Sequence, residues 1–200
     1  MNNKHSNFTY AIKDNKLVCI EDVEKGLSCD CVCPACKGKL IARKGNKNSH
    51  HFAHYSVDCG KGYETALHML AKEILSESDE MILPSVSIST DSYRPNIKLY
   101  PETRIKIEYV ELEKKTDDII PDIILHFCER QLIIEISVTH KVDNVKLEKI
   151  KNLGISTLEI YLSKYDKTIS KSELKHILIN SNENKSWLYN RPVLKPLKNN

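Results

Sequence analysis

Two carboxylate residues, Asp122 and Glu135, are spaced so that a β-hairpin would bring them onto neighbouring strands. They lie in residues 119–127 and 132–140, two runs of alternating or mainly apolar side chains that are typical of strands. The connection between the runs, residues 128–131, is short enough for a hairpin. The sequence therefore predicts that both carboxylates belong to one small piece of sheet.

The predicted register places the two carboxylates on the same face of this hairpin. With a connection of four residues, Asp122 lies opposite Ser137. Because side chains alternate between the faces of a strand, Glu135 shares a face with Ser137 and Asp122. The other face is then wholly apolar and packs on the core, with Ile123, Leu125, Phe127, Ile134, Ile136 and Val138.

Paired carboxylates of this kind indicate a site for a hard divalent cation. Mg²⁺ and Mn²⁺ prefer oxygen ligands, keep several waters and are completed by substrate phosphate. Asp122 and Glu135 would bind the ion, with the backbone carbonyl of Ile136 as a third ligand. Such an ion activates water for attack on a phosphate ester.

A clear helix is predicted over residues 63–77, and one of its sides carries Glu64, His68 and Lys72 at intervals of four residues. Glu64 could reach the same cation, and Lys72 could contact the phosphate. A solvated helix face with local ion pairs is the alternative interpretation of the same pattern.

A second group of metal-binding residues precedes this helix. Cys33 and Cys36 form a Cys-x-x-Cys turn, and His51 and His54 follow after fourteen intervening residues. Thiolates and imidazoles in a two-plus-two arrangement predict a tetrahedral structural zinc that supplies the folding energy of a small knuckle. Four further residues are close enough to replace one of these ligands: Cys29, Cys31, Cys59 and His50.

The segment between the two ligand pairs, residues 37–49, is predicted to be a turn-rich basic loop. It contains no acidic residue and two glycines. Its cations could contact nucleic-acid phosphates or simply keep the loop solvated, and both interpretations stand. They are Lys37, Lys39, Arg43, Lys44 and Lys47.

Strands that alternate with helices after residue 60 predict a mixed α/β sheet. We expect an N-terminal β and zinc-knuckle module over 1–60, an α/β domain over 61–180 and an irregular tail over 181–200. The other predicted elements are strands at 8–12, 17–23, 104–113 and 156–163, a meandering segment at 82–101, a helix at 143–153 between Asp143 and Gly154, and a helix at 171–180 capped by Ser170.

Composition sets limits on the class of protein. The chain has 200 residues, of which 40% are hydrophobic, so it can bury a core. No apolar run approaches the length of a membrane helix, and the first residues lack the apolar core of a signal peptide. We therefore expect a cytoplasmic protein in which the seven cysteines do not form a disulfide framework. The net charge of +3 hides an acidic middle, residues 61–140, between two basic ends that could hold a polyanion.

The order of these motifs resembles the competence protein CoiA-like family over roughly residues 27–163. That resemblance implies a zinc-knuckle module joined to a PD-(D/E)xK restriction-endonuclease-like core, built as helix, three antiparallel strands, helix and strand. It also implies metal-binding roles for Glu64, Asp122 and Glu135. Ser137 occupies the position where the superfamily pattern has a catalytic lysine, and Lys72, or else Lys141 or Lys146, could supply the missing charge.

Three functions are compatible with the sequence. The first is a Mg²⁺- or Mn²⁺-dependent DNA endonuclease whose zinc knuckle helps to hold DNA, acting alone or as a homodimer. The second is a catalytically inactive, zinc-dependent DNA-binding protein that assists recombination. The third is an adaptor for partner proteins of a DNA-processing or phage-defence system.

Overall fold

The computed structural model describes residues 8–56, 59–88, 97–165 and 168–190, which fall into two compact units. One unit comprises Met1–Ala71 with Lys164–Leu174, and the other comprises Lys72–Ser163 with Lys175–Asn200. Helices and strands together confirm the predicted mixed α/β class. Within the described ranges no helix is long and apolar enough to cross a membrane.

Two short antiparallel hairpins build the first unit. Strand β1 (Tyr10–Lys13) pairs with β2 (Lys16–Cys19), and β3 (Leu40–Arg43) pairs with β4 (His51–His54). Few large side chains are completely buried here, among them Phe8, Ile20, Leu40 and Phe52. Because isolated two-stranded sheets are marginally stable in water, this unit needs a further source of stability. Residues 37–49 were predicted to be a loop, which is wrong for the part that forms β3.

The remaining elements follow in chain order. Helix α1 spans Gly62–Ser76 and confirms the helix predicted at 63–77. The second unit then contains β5 (Glu80–Leu83), β6 (Val86–Ile88), β7 (Ile97–Tyr100), β8 (Thr103–Lys106), β9 (Tyr109–Leu112), β10 (Ile123–Phe127), β11 (Arg130–Ser137), α2 (Asn144–Leu153), β12 (Thr157–Tyr161) and β13 (Lys185–Tyr189), and α3 covers Lys171–Asn180.

A five-stranded sheet with the order β13-β12-β11-β10-β9 dominates the second unit. Strands β9, β10 and β11 are antiparallel to one another, whereas β12 runs parallel to β11 after the α2 crossover. Ile150 of α2 is completely buried in one cluster with Ile119, Ile124 and Ile133. Helix α2 therefore covers part of the sheet face that also carries the carboxylates.

The caps of the later helices agree with their sequence signals. Asp143 Oδ1 accepts a hydrogen bond from Lys146 N at 2.7 Å at the start of α2, and Gly154 ends that helix with a φ of 68°. Ser170 and Glu173 exchange side-chain to backbone hydrogen bonds at the start of α3, as in a capping box. These local predictions are confirmed.

The predicted hairpin register is wrong by two residues. The observed pairs run from Ile123 with Ile134 to Phe127 with Arg130, so the connection is only Cys128-Glu129. Continuing this register brings Asp122 level with Glu135 in place of Ser137. A shift of two residues leaves every side chain on its predicted face, because the strand period is two.

Two other predicted segments differ from the structure. The strand expected at 104–113 is interrupted, since β8 pairs with β5 and β9 pairs with β10 in a different sheet. The tail expected to be irregular over 181–200 contains β13, which pairs with β12. Residues 191–200 of that tail, and part of the segment predicted at 82–101, lie outside the described residues.

The two-residue turn of the hairpin offers a test of the observed register. Cys128 and Glu129 have φ values of 46° and 57°, a backbone conformation that favours Asn and Gly. The double substitution Cys128→Asn with Glu129→Gly should raise the free energy of unfolding by about 0.5–1 kcal/mol. Urea denaturation measures this change, with Glu129→Ala as the control that keeps the strained backbone. A decrease in stability of the double variant would contradict the turn geometry.

Buried Lys185 predicts a pH-dependent stability. Its Nζ donates to Ile82 O at 2.7 Å, and burial lowers the pKa of Lys185 from 10.5 to about 7. Between these values the unfolded chain holds a proton that the folded chain has released, so the unfolding free energy should rise as the pH increases from 7 towards 10. Lys185→Met should reduce this slope, whereas exposed Lys175→Met on α3 should keep it. Equal slopes in urea denaturation for Lys185→Met and the wild type would be the contrary result.

Candidate metal centre and carboxylate cluster

Three cysteines and one histidine converge in the first unit. Cys33 and Cys36 lie in the turn before β3, His54 ends β4, and Cys59 precedes α1. Their ligand atoms all lie within 4.8 Å of one another. Of the described ranges of the chain, no other part brings at least three Cys, His, Asp or Glu ligand atoms together in this way.

Two distances inside this Cys₃His cluster match the edges of a tetrahedral zinc site. Zinc bonds of about 2.3 Å to sulfur and about 2.0 Å to nitrogen imply edges of about 3.8 Å between two sulfurs and about 3.5 Å between sulfur and nitrogen. Cys33 Sγ lies 3.8 Å from Cys59 Sγ, and Cys36 Sγ lies 3.4 Å from His54 Nε2. The donor types and the spacing are thus both suited to a structural zinc, which the sequence predicted.

The surroundings of the cluster differ between its two sides. Cys33 is completely buried, and this burial raises the pKa of its thiol to about 12. Burial acts on Cys59 in the same direction, but hydrogen bonds from the Lys61 backbone and from neighbouring thiols and amides lower its pKa overall. Cys36 is exposed and accepts a hydrogen bond from Gly38 N at 3.4 Å.

Tight packing encloses the buried side of the cluster. The Phe8 ring lies 6.1 Å from the His54 ring and 6.2 Å from the Phe52 ring. A side chain at Gly62 would place its Cβ 2.8 Å from the Phe8 ring and 3.1 Å from Cys33 Sγ. Glycine at the start of α1 therefore gives the helix room to begin beside the cluster.

The predicted ligand His51 lies outside the cluster, and Cys59 is there instead. Residues 51–54 form a strand, and side chains three positions apart on a strand point to opposite faces. His51 Nδ1 is 2.8 Å from Ser49 O, while His54 shares the face of buried Phe52. The correction follows from β4 being extended where the prediction assumed a turn or a helix start.

The other alternative ligands have different contacts. The Cys29 and Cys31 thiols are buried and donate to the carbonyls of Leu40 and Cys29, at 3.5 and 3.2 Å. His50 Nδ1 lies 2.9 Å from Glu21 Oε1. Of the four substitutes weighed from the sequence, the structure brings only Cys59 to the cluster.

The predicted phosphate-binding cations divide into two groups. Lys37 Nζ donates to Pro34 O at 3.0 Å, and Lys44 Nζ donates to the carbonyls of Glu21 and Val23 at 3.1 and 3.0 Å. The ammonium groups of these two side chains are therefore hydrogen-bonded to backbone carbonyls of the first unit. Lys39, Arg43 and Lys47 are exposed, so they are the members of the set best placed to meet a polyanion.

Two carboxylate–lysine pairs lie in the second unit, where the hairpin prediction expected a site. Asp122 Oδ1 is 3.2 Å from Lys72 Nζ, and Asp122 Oδ2 accepts a hydrogen bond from Ile136 N at 2.8 Å. Glu135 Oε2 is 2.6 Å from Lys146 Nζ. The structure thus gives both predicted carboxylates an ammonium neighbour. Hard carboxylate oxygens fit Mg²⁺ or Mn²⁺ by type, although here ammonium groups contact them.

The Ser137 side chain contacts a residue that the sequence reasoning missed. Ser137 Oγ donates to Glu159 Oε1 at 2.8 Å, and the same oxygen accepts from Val142 N at 2.7 Å. Glu159 lies on β12 directly beside Glu135 of β11, and both residues are 2% exposed. The available signal was a single acid inside the otherwise apolar stretch Leu158 to Leu162.

The remaining predicted site residues are distributed over both units. Glu64 lies in α1 within the first unit, so its role at a metal beside Asp122 stays a prediction. Lys141 Nζ lies 5.2 Å from the centre of the Tyr161 ring. Lys72 also contacts Glu113 Oε1 at 2.7 Å.

A segment of the first unit is similar to a known protein family. Residues 19–61 match the family model described as the competence protein CoiA, N-terminal domain. The matched segment contains all four residues of the Cys₃His cluster. For this segment the resemblance expected from the motif order is confirmed. No curated protein and no solved structure matches the chain.

The Cys₃His geometry predicts which substitutions remove zinc. Elemental analysis of the purified protein should find one zinc per chain; Cys59→Ser and Cys36→Ser should each lower the retained zinc by about tenfold or more after dialysis against a chelator. His51→Ala should keep its zinc, and so should Cys128→Ser outside the unit. Zinc loss in His51→Ala together with full retention in Cys59→Ser would restore the original ligand assignment.

Proposed function

We propose that this protein is a metal-dependent DNA endonuclease whose zinc module helps to hold the substrate. The observation that carries the proposal is the placement of Asp122 and Glu135 on adjacent strands, each with a lysine ammonium beside it. Carboxylates can hold a metal ion that activates water, and ammonium groups can stabilise the charge on a phosphodiester during hydrolysis.

The order of elements around these residues gives a second line of support. Helix α1 precedes three antiparallel strands, β9 to β11, after which α2 leads to the parallel strand β12. This order is the one that the resemblance implies for a PD-(D/E)xK core, apart from the inserted strands β5 to β8. We propose that fold for the second unit on this ground.

The chain would divide the chemistry among its own residues. Asp122, Glu135 and the carbonyl of Ile136 would hold Mg²⁺ or Mn²⁺, which when bound activates a water molecule and stabilises charge on the phosphate. Burial of Glu135 limits the approach of bulk water to that carboxylate. The backbone N–H of Ile136 fixes Asp122 Oδ2, which keeps the carboxylate in one orientation.

The zinc module would contribute binding and not chemistry. A Cys₃His set fills four positions on a zinc ion and leaves none open for substrate. The exposed cations Lys39, Arg43 and Lys47 would contact phosphates without reading sequence. Binding that depends on them should weaken with added salt.

A zinc-dependent DNA-binding protein without nuclease activity is the second candidate. The Ser137 hydroxyl favours it, because the residue at the expected lysine position carries no charge and donates to buried Glu159. Gel-shift binding without cleavage by the wild type would select this function.

Cleavage of supercoiled plasmid with Mg²⁺ or Mn²⁺ tests the proposal. Asp122→Asn and Glu135→Gln should each lower the cleavage rate by about 100-fold or more, because each removes a charged metal ligand. Glu148→Gln, on the exposed side of α2, is the matched control and should cut like the wild type. Circular dichroism of all variants checks the fold. Equal cleavage by Asp122→Asn and the wild type would overturn the assignment.

A further inference from the structure

We propose that Lys146 of α2 supplies the catalytic ammonium that position 137 of β11 lacks, and that Glu159 positions it. This inference rests on the proposed nuclease function and concerns the same site. Lys146 thus takes the place of Lys72, which the sequence favoured as the source of the ammonium. Buried Glu159 acts by positioning Lys146.

The Lys146 ammonium is more exposed to solvent than the carboxylate that it contacts. Its Nζ is 2.6 Å from Glu135 Oε2, while the side chain of Glu135 is 3% exposed and that of Lys146 is 33% exposed. The ammonium therefore lies between a buried carboxylate and solvent. A phosphate that approaches Glu135 from solvent would meet this cation.

Lys72 is less suited to that task. Its side chain is 10% exposed, and its Nζ lies between Glu113 Oε1 at 2.7 Å and Asp122 Oδ1 at 3.2 Å. Two carboxylate contacts and burial hold this ammonium in one place. Lys72 therefore serves to position Asp122, whereas Lys146 can exchange a carboxylate contact for a phosphate.

A short series of contacts determines where Lys146 lies. Glu159 Oε1 accepts the Ser137 hydroxyl at the end of β11 and the N–H of Val142 just before α2. The next residue, Asp143, caps α2 through the N–H of Lys146. Glu159 thus joins the last strand residue to the start of the helix, and the helix cap fixes the backbone of the first turn, which carries Lys146.

Electrostatics favours the same arrangement. Glu135 and Glu159 are directly paired across β11 and β12, and like charges in that position repel. The hydrogen bonds that Glu159 receives from Ser137 and Val142 leave Lys146 to neutralise Glu135. Ser137 supports this division, because its hydroxyl donates to Glu159 and leaves the Glu135 contact to the helix lysine.

The first experiment separates catalysis from metal binding. Cleavage of supercoiled plasmid is measured together with Mn²⁺ binding by isothermal titration calorimetry for Lys146→Met, Lys72→Met and the exposed control Lys149→Met. Lys146→Met should lower kcat by about 100-fold while Mn²⁺ binding stays within about threefold of the wild type. Lys72→Met removes the ammonium that holds Asp122, so it should change Mn²⁺ binding by more than threefold, and Lys149→Met should change neither quantity.

The second experiment tests the positioning role of Glu159 without relying on activity. In Glu159→Ala the amide of Val142 should exchange its hydrogen at least about tenfold faster than in the wild type, because its acceptor is gone. Glu159→Gln retains an acceptor oxygen and should restore slow exchange and most of the cleavage. Equal exchange at Val142 in Glu159→Ala and the wild type would overturn the positioning role.

The outcomes distinguish this inference from the proposed function. If the wild type cleaves, Asp122→Asn does not, and Lys146→Met cleaves at the wild-type rate, the nuclease stands and the role of Lys146 is wrong. If the wild type cleaves no DNA with either metal, both are overturned. Loss of Mn²⁺ binding in Lys146→Met would also count against a role confined to catalysis.

Discussion

Two glutamate side chains, Glu135 and Glu159, lie directly beside each other on the parallel strands β11 and β12 and are both almost completely buried. A buried carboxylate is costly unless it is paired or hydrogen-bonded, and two adjacent ones add repulsion. Both carboxylates have partners within the second unit. Lys146 meets one carboxylate, and Ser137 and a backbone N–H meet the other.

The first unit is limited by a different constraint, because it buries little apolar surface. Its paired strands have four residues each, and few of its large side chains are completely buried. The Cys₃His cluster joins the turn before β3, the end of β4 and the segment before α1. A zinc ion at this place would connect parts of the chain that share little core, and its binding free energy would be folding free energy.

The features that the sequence predicted correctly depend on neighbouring residues. Asp143 and Gly154 mark the two ends of α2, and such caps are predictable because they depend on residues within one turn of the helix. Asp122 and Glu135 share a face because strand alternation is local. Glu159 was not predictable in the same way, since its burial and its contact with Ser137 follow from the parallel pairing of β11 and β12 across a helix. The choice of Cys59 over His51 likewise required knowing that residues 51–54 are extended.

The hairpin connection lacks an Asn-Gly signal, so its length was predicted as four residues where the structure has two. This difference changes the residue opposite Asp122 but leaves Asp122 on the same face of the sheet. This tolerance has an evolutionary consequence. Insertions or deletions of two residues in the turn would slide one strand along the other and still present both acids on the same side of the sheet. A change of one residue would send one of them into the apolar core. Natural length variation at this turn should therefore occur in even steps.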